Sequence, residues 1–167
     1  MANHEHCACG ICEDGPLAFD AQTRAHIRDH GCSVICVAEC FGPGMPAFAY
    51  SVGLGHTAGA PEVCLTGVHH SVAHPVLNIY RRRVLEGEQF LPGVGYPDFL
   101  EGYDVRFFPV KPSQLRWLGQ ARWLYQQTPF TAVQLVYPSP EGLWPWDRNY
   151  PASMRNRQRL LCNVRQP

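Results

Sequence analysis

Apolar residues along the chain fall into short blocks of two different periods, separated by Gly- and Pro-rich punctuation. Residues 21–30, AQTRAHIRDH, place Ala25 and Ile27 near one side. With Asp20 as N-cap and Gly31 as stop they predict a helix of about three turns. Residues 32–40, CSVICVAEC, and 47–54, AFAYSVGL, are apolar and alternating, and they flank the turn FGPGMP, so they predict a β-hairpin. Cys32, Val34, Cys36, Ala38 and Cys40 then share one face, with Cys36 expected in the core. After the loop GHTAGAP, residues 62–68 (EVCLTGV) predict a third strand with Cys64 inside. From His70 to Glu86 the period becomes helical, carried by Val72, Val76, Ile79, Tyr80 and Val84, with Pro75 tolerated near the start and Gly87 at the end.

A Gly/Pro-rich loop over 91–97 precedes YDVRFFPV (103–110), which alternates as a strand; Ser113–Gln126 reads as a helix and TAVQLVYP (131–138) as the last strand. Beyond it Pro138, Pro140, Pro145 and Pro151 accompany Trp144 and Trp146, which predicts ordered loop anchored to the body by its indoles. The expected architecture is a single α+β domain over residues 17–167, with a mainly antiparallel sheet, about three helices and a split-barrel-like closure as one option. Residues 1–16 form a separate Cys/His-rich N-terminal segment ending at Gly15-Pro16.

Composition narrows the class. The chain's 167 residues suffice for one core. Its 14 basic and 14 acidic residues cancel, so no electrostatic footprint for nucleic acid or an anionic membrane exists. The Arg81-Arg82-Arg83 run and the alternation of Arg155, Arg157 and Arg159 read as solvated faces. There is no apolar stretch of signal-peptide form and no run near the ~18 apolar residues of a membrane span. A cytoplasmic location is therefore expected, with the eight cysteines as thiols or metal thiolates rather than disulfides.

The densest chemistry is HEHCACGIC. Cys7, Cys9 and Cys12 are thiolate ligands of the kind zinc prefers, and His4 or His6 is the nearest fourth ligand, with Cys162 or a hairpin cysteine as longer-range alternatives. Such a closed tetrahedron would be structural, because catalysis requires an open position. A second candidate site joins Tyr50, His56, Glu62 and Asn78, with Glu62 orienting His56 and Tyr50 donating a proton. His70 and His74 have the i, i+4 spacing that grips a metal, but lack a third ligand, and with His69 they read as capping and surface residues.

The string AFAYSVGLGHTAGAPE, the helix with Leu77-Asn78, GYDVRFFPV, the pair Ala121 and Tyr125, and VQLVYPSPEGLWPWD together resemble the bacterial family known as domain of unknown function 4262, over roughly residues 7–150. The resemblance implies no activity. Where that family carries His-Pro-Glu this chain has Ala60-Pro61-Glu62, and Pro138-Ser139 replaces the usual Pro-Asp. The strand order is also similar to the first half of flavin-binding split-barrel oxidoreductases, which would put Ser51, Gly53 and Thr57, with Tyr50, around an FMN phosphate. Three functions stay open: a zinc-containing module binding a small molecule or protein, a flavin-dependent oxidoreductase, and a hydrolase-like or metal-dependent enzyme using His56 and Glu62.

Overall fold

Helix α1 of the computed structural model, which describes residues 16–39, 44–126 and 128–164, runs Pro16–His30. It starts before Asp20 because a proline is acceptable in the first turn, where its missing N–H has no intrahelical acceptor to lose. Asp20 is consequently not the cap; its Oδ1 accepts from Gln120 Nε2 at 2.7 Å. Strands β1 (Ser33–Val37) and β2 (Phe48–Val52) form the expected hairpin, with Cys36 opposite Ala49. A four-residue helix α2 (Leu54–Thr57) leads to β3 (Glu62–Thr66), and α3 spans His70–Leu85. Strands β4 (Gly95–Leu100) and β5 (Tyr103–Pro109) follow, then a 3₁₀ turn at Pro112–Trp117, α4 (Gly119–Tyr125), β6 (Ala132–Val136) and α5 (Ala152–Arg157).

The six strands make one sheet in the order β1-β2-β3-β6-β5-β4. All neighbours are antiparallel except β3 and β6, which pair in parallel from Glu62 opposite Ala132. The sheet is open, with β1 and β4 as its edges, so the split-barrel-like closure does not form. Helix α3 covers one face through Ala73, Val76, Leu77, Tyr80 and Val84, against Ala49, Val63, Leu65 and Phe107. Ile27 of α1, Ala121 of α4 and Leu118 just before α4 cover the other, against Phe48, Tyr50, Val52 and Cys64. Strands β2, β3 and β6 are buried at every position, as the centre of a sheet covered on both faces must be.

Several sequence expectations shift. The apolar stripe of α3 is rotated: Val72 is exposed and Ala73 and Leu77 take its place in the core. Cys36 is exposed, opening onto a groove that it lines together with Val68, His69, His70 and Ala73 at the start of α3. Instead of one helix over 113–126, the segment breaks at Leu118, whose φ of −90° and ψ of 63° leave the helical region. The first half of strand β4, residues 95–97, lies inside the stretch whose Gly and Pro residues argue for loop; at an edge, proline removes no needed sheet hydrogen bond.

The C-terminal tail is held to β6 by two buried glutamines acting as pieces of backbone. Gln134 Oε1 accepts from Leu161 N (2.6 Å) and Cys162 N (3.2 Å), while its Nε2 donates to Arg159 O (2.8 Å) and Thr66 Oγ1 (3.1 Å). Gln158 Oε1 accepts from Tyr137 N at 2.9 Å, and Nε2 donates to Tyr137 O at 2.8 Å and Tyr150 Oη at 2.9 Å. Phe108, Val136 and Cys162 then collect Trp144 and Trp146, the expected anchors. Among the described residues no helix is long and apolar enough to cross a membrane. Substituting Gln134→Leu strands the buried Leu161 and Cys162 N–H groups, while the Arg159 carbonyl keeps the Thr66 hydroxyl at 2.9 Å; urea unfolding should show a loss of about 3 kcal/mol.

Candidate functional site

Glu62 is the first residue of β3 and has no solvent exposure. Its backbone N–H donates to Thr131 O at 2.9 Å, which begins the parallel pairing with β6 and fixes where the side chain starts. The carboxylate then collects four donors from three places. Ser51 at the end of β2 donates its hydroxyl to Oε2 at 2.5 Å. Gly53 and Gly55 donate backbone N–H groups to Oε1 at 2.8 and 3.3 Å. Tyr125, the last residue of α4, donates its hydroxyl to the same Oε1.

Small residues are required here for steric reasons. Gly53 has φ of +112°, a conformation L side chains rarely adopt, and a Cβ there would stand 2.8 Å from Ile27 Cγ1. At Gly55 a Cβ would lie 2.7 Å from the Tyr125 hydroxyl. That hydroxyl accepts the Gly55 N–H at 3.0 Å while donating to Glu62, so the turn, the helix end and the carboxylate are mutually bound. The Tyr125 ring stacks on Phe130 with centroids 5.0 Å apart. Ser51 Oγ also accepts from Val63 N at 2.9 Å, which uses its remaining capacity at the start of β3.

Burial pushes the Glu62 carboxyl above the ordinary glutamate range, and the four donors pull it only part of the way back. Burial and the neighbouring carboxylate raise the Tyr125 phenol well above its usual range. No cation pairs with Glu62 among the described residues. The arrangement therefore holds a buried, fully hydrogen-bonded carboxyl rather than an open base.

The remaining predicted residues are distributed differently from the expectation. His56 sits in α2 but is exposed, and Glu62 makes no contact that would orient its ring; the His56–Glu62 pairing does not form. Tyr50 is buried, its hydroxyl accepts from Gln120 N at 3.0 Å, and burial raises it to about 12, so it holds the start of α4 instead of donating to a substrate. Asn78 bonds His74 through Nδ2···Nδ1 at 2.9 Å on α3 and is not among the partners of Glu62. His69 caps α3 by accepting from Ser71 N at 3.3 Å. Thr57 Oγ1 donates to Gly31 O at 2.7 Å. With Ser51 and Gly53 committed to Glu62 and Thr57 to Gly31, the residues assigned to an FMN phosphate have their donors already used, and a carboxylate stands at their centre. They do not fit that group.

Cys7, Cys9, Cys12, His4 and His6 lie outside the described residues, as does Cys40. Among the described residues, no group of three or more His, Cys, Asp or Glu side chains is placed to hold a metal. Cys32 and Cys162 are buried with thiols raised to about 12, and Cys64 is raised further, so none is primed as a thiolate. The site residue with no assigned role from sequence reasoning is Tyr125. It is 63 positions from Glu62, and only the fold brings the end of α4 to the start of β3.

The raised Glu62 carboxyl has a definite pH signature. A folded acid with a raised pKa binds its proton more tightly than the unfolded chain does, so stability is greatest below the unfolded value and falls as pH rises through the folded one. Glu62→Gln removes this term: as pH rises above the ordinary glutamate range, thermal melts should show the variant gaining on the native protein. Tyr125→Phe should cost about 1–2 kcal/mol and speed amide exchange at Gly55.

Comparison with known proteins gives one match. No curated protein and no solved structure matches the chain. A family profile described as Domain of unknown function (DUF4262) matches residues 26–151, a span that runs from α1 to the tail and contains Ser51, Gly53, Glu62 and Tyr125. Covering well over half of the chain, that match means the protein belongs to the DUF4262 family.

Proposed function

We propose that this domain is a zinc-containing binding module, which recognises a small molecule or a protein partner through the exposed turn at residues 55–59. The observation that carries this reading is the complete internal satisfaction of Glu62. Its oxygens are taken by Ser51, Gly53, Gly55 and Tyr125, so it works as a rigid support beneath an exposed turn. Exposed loops mounted on a fixed scaffold are where binding residues concentrate. His56 rides on that turn, exposed for contact, and among the described residues Glu62 is turned to Ser51, Gly53, Gly55 and Tyr125 rather than to its ring.

The zinc part rests on donor chemistry. Cys7, Cys9 and Cys12 supply three thiolates within six residues, and His4 or His6 completes a tetrahedron. With four protein ligands the ion has no open position, so it would tie the N-terminal segment into a fixed shape and take no part in bond making.

Elemental analysis of the untagged, full-length protein tests the proposal. The expected result is about one zinc per chain, lost together with part of the melting temperature in the Cys7, Cys9, Cys12→Ser variant. A metal-free native protein whose melting temperature matches that variant would end the zinc reading. A yellow preparation with flavin absorbance would replace it with the oxidoreductase alternative.

A further inference from the structure

Arg106 lies in β5, between Gly95 of β4 and Val136 of β6. Its guanidinium carbon stands 4.4 Å above the Trp144 ring centroid and 5.8 Å from that of Trp146. The two indoles are themselves stacked, with centroids 5.2 Å apart and planes inclined by 6°, and Trp146 meets Phe108 edge-on at 5.5 Å. The wall is braced from behind. Trp144 N donates to Asp147 Oδ2 at 2.7 Å, and Arg155 donates to Pro145 O at 3.0 Å and Asp147 O at 3.4 Å.

What the guanidinium lacks is an acceptor. Arg106 Nε is shielded from solvent and has no hydrogen-bond partner, the one side-chain nitrogen or oxygen in that condition among the described residues. Neither does Arg106 form an ion pair with any described carboxylate. Asp147 is committed to the Trp144 amide, and Asp104, two residues along β5, sets its carboxylate over Gly95, the cross-strand neighbour of Arg106, without pairing with the guanidinium. Arg83 shows the contrast within the same molecule. It also sits over aromatic rings, Phe90 at 5.1 Å and Phe99 at 4.9 Å, but its Nε and Nη2 donate to Glu88 at 2.5 and 2.6 Å.

An unpaired, half-buried guanidinium is costly in proportion to the donors it leaves empty, and an aromatic face compensates its charge without satisfying its N–H groups. With Nε covered, the Nη1/Nη2 end is the fork that stays accessible. A planar two-oxygen acceptor suits that fork, and the paired indoles offer a flat apolar wall beside it. We infer that Arg106, Trp144 and Trp146 form a binding site for a small ligand bearing an oxyanion, which docks end-on to the guanidinium with its body along the two indoles. This site is independent of the zinc reading and of the 55–59 turn.

Titration of the full-length protein with sodium benzoate and, separately, with inorganic phosphate, at ionic strength held constant with chloride, tests it through the indole ¹H–¹⁵N resonances. The Trp144 and Trp146 resonances, assigned with Trp144→Phe and Trp146→Phe, should move and saturate, while those of Trp117 and Trp123 stay in place. Saturation by benzoate alone identifies a carboxylate ligand and by phosphate alone a phosphoryl one. Arg106→Gln should abolish the response. Arg106→Lys, which keeps the charge but loses the planar fork, should weaken it at least ~tenfold. No saturable shift with either probe, equal shifts of all four indoles, or native-like binding by a folded Arg106→Gln or Arg106→Lys protein would overturn the inference.

Discussion

The Glu62 carboxylate is the constraint on which the central part of this fold depends. A glutamate side chain without solvent contact demands hydrogen-bond donors, and these come from the end of β2, the turn into α2 and the end of α4. Each donor fixes the path of its own segment. Gly53 must adopt its left-handed conformation to aim an N–H at Oε1, and Gly55 must lack a Cβ for the Tyr125 hydroxyl to approach. One buried charge-capable group thereby determines the shape of the turn that the protein displays to its surroundings.

Buried polar side chains carry a second structural duty at the other end of the molecule. A Pro- and Gly-containing tail has few regular backbone partners, so its N–H and C=O groups need acceptors and donors elsewhere. Gln134 and Gln158 provide them in the geometry of a peptide unit, Gln134 toward residues 159–162 and Gln158 toward Tyr137. Once the tail is tied down, Trp144 and Trp146 stack beside the sheet and reach Arg106. The tail is thus the reason that Arg106 has an aromatic wall at all.

The limits of reading the chain residue by residue follow from distance along it. Residue type and position mark Ser51 and Glu62 separately, one for an FMN phosphate and the other beside His56; that the hydroxyl of one serves the carboxylate of the other follows from the pairing of β2 with β3. Tyr125 is legible as a helical residue and as part of the family-like pair with Ala121, but without a role, because nothing local states that the end of α4 returns to β3. His56 drew attention as the one imidazole of its loop. Its exposure depends on the direction α2 takes after Gly53, which Glu62 controls. Cys36 differs from expectation for a similar reason: alternation assigns it a face, but how closely the start of α3 packs on that face is a matter of helix placement.

By itself the sequence determined the α+β class, most of the strands, the long helix at 70–85, the family and the zinc-type donor set of the first twelve residues, because all of these rest on period, spacing and residue type within short windows. Only the tertiary structure decided that the sheet is open and joined by one parallel pairing, that Glu62 is a satisfied support rather than the partner of His56, and that Arg106 is left without an acceptor. Those outcomes depend on which distant groups share a buried volume. Desolvation makes each polar group there find a partner or remain without one, and only the packed chain settles which.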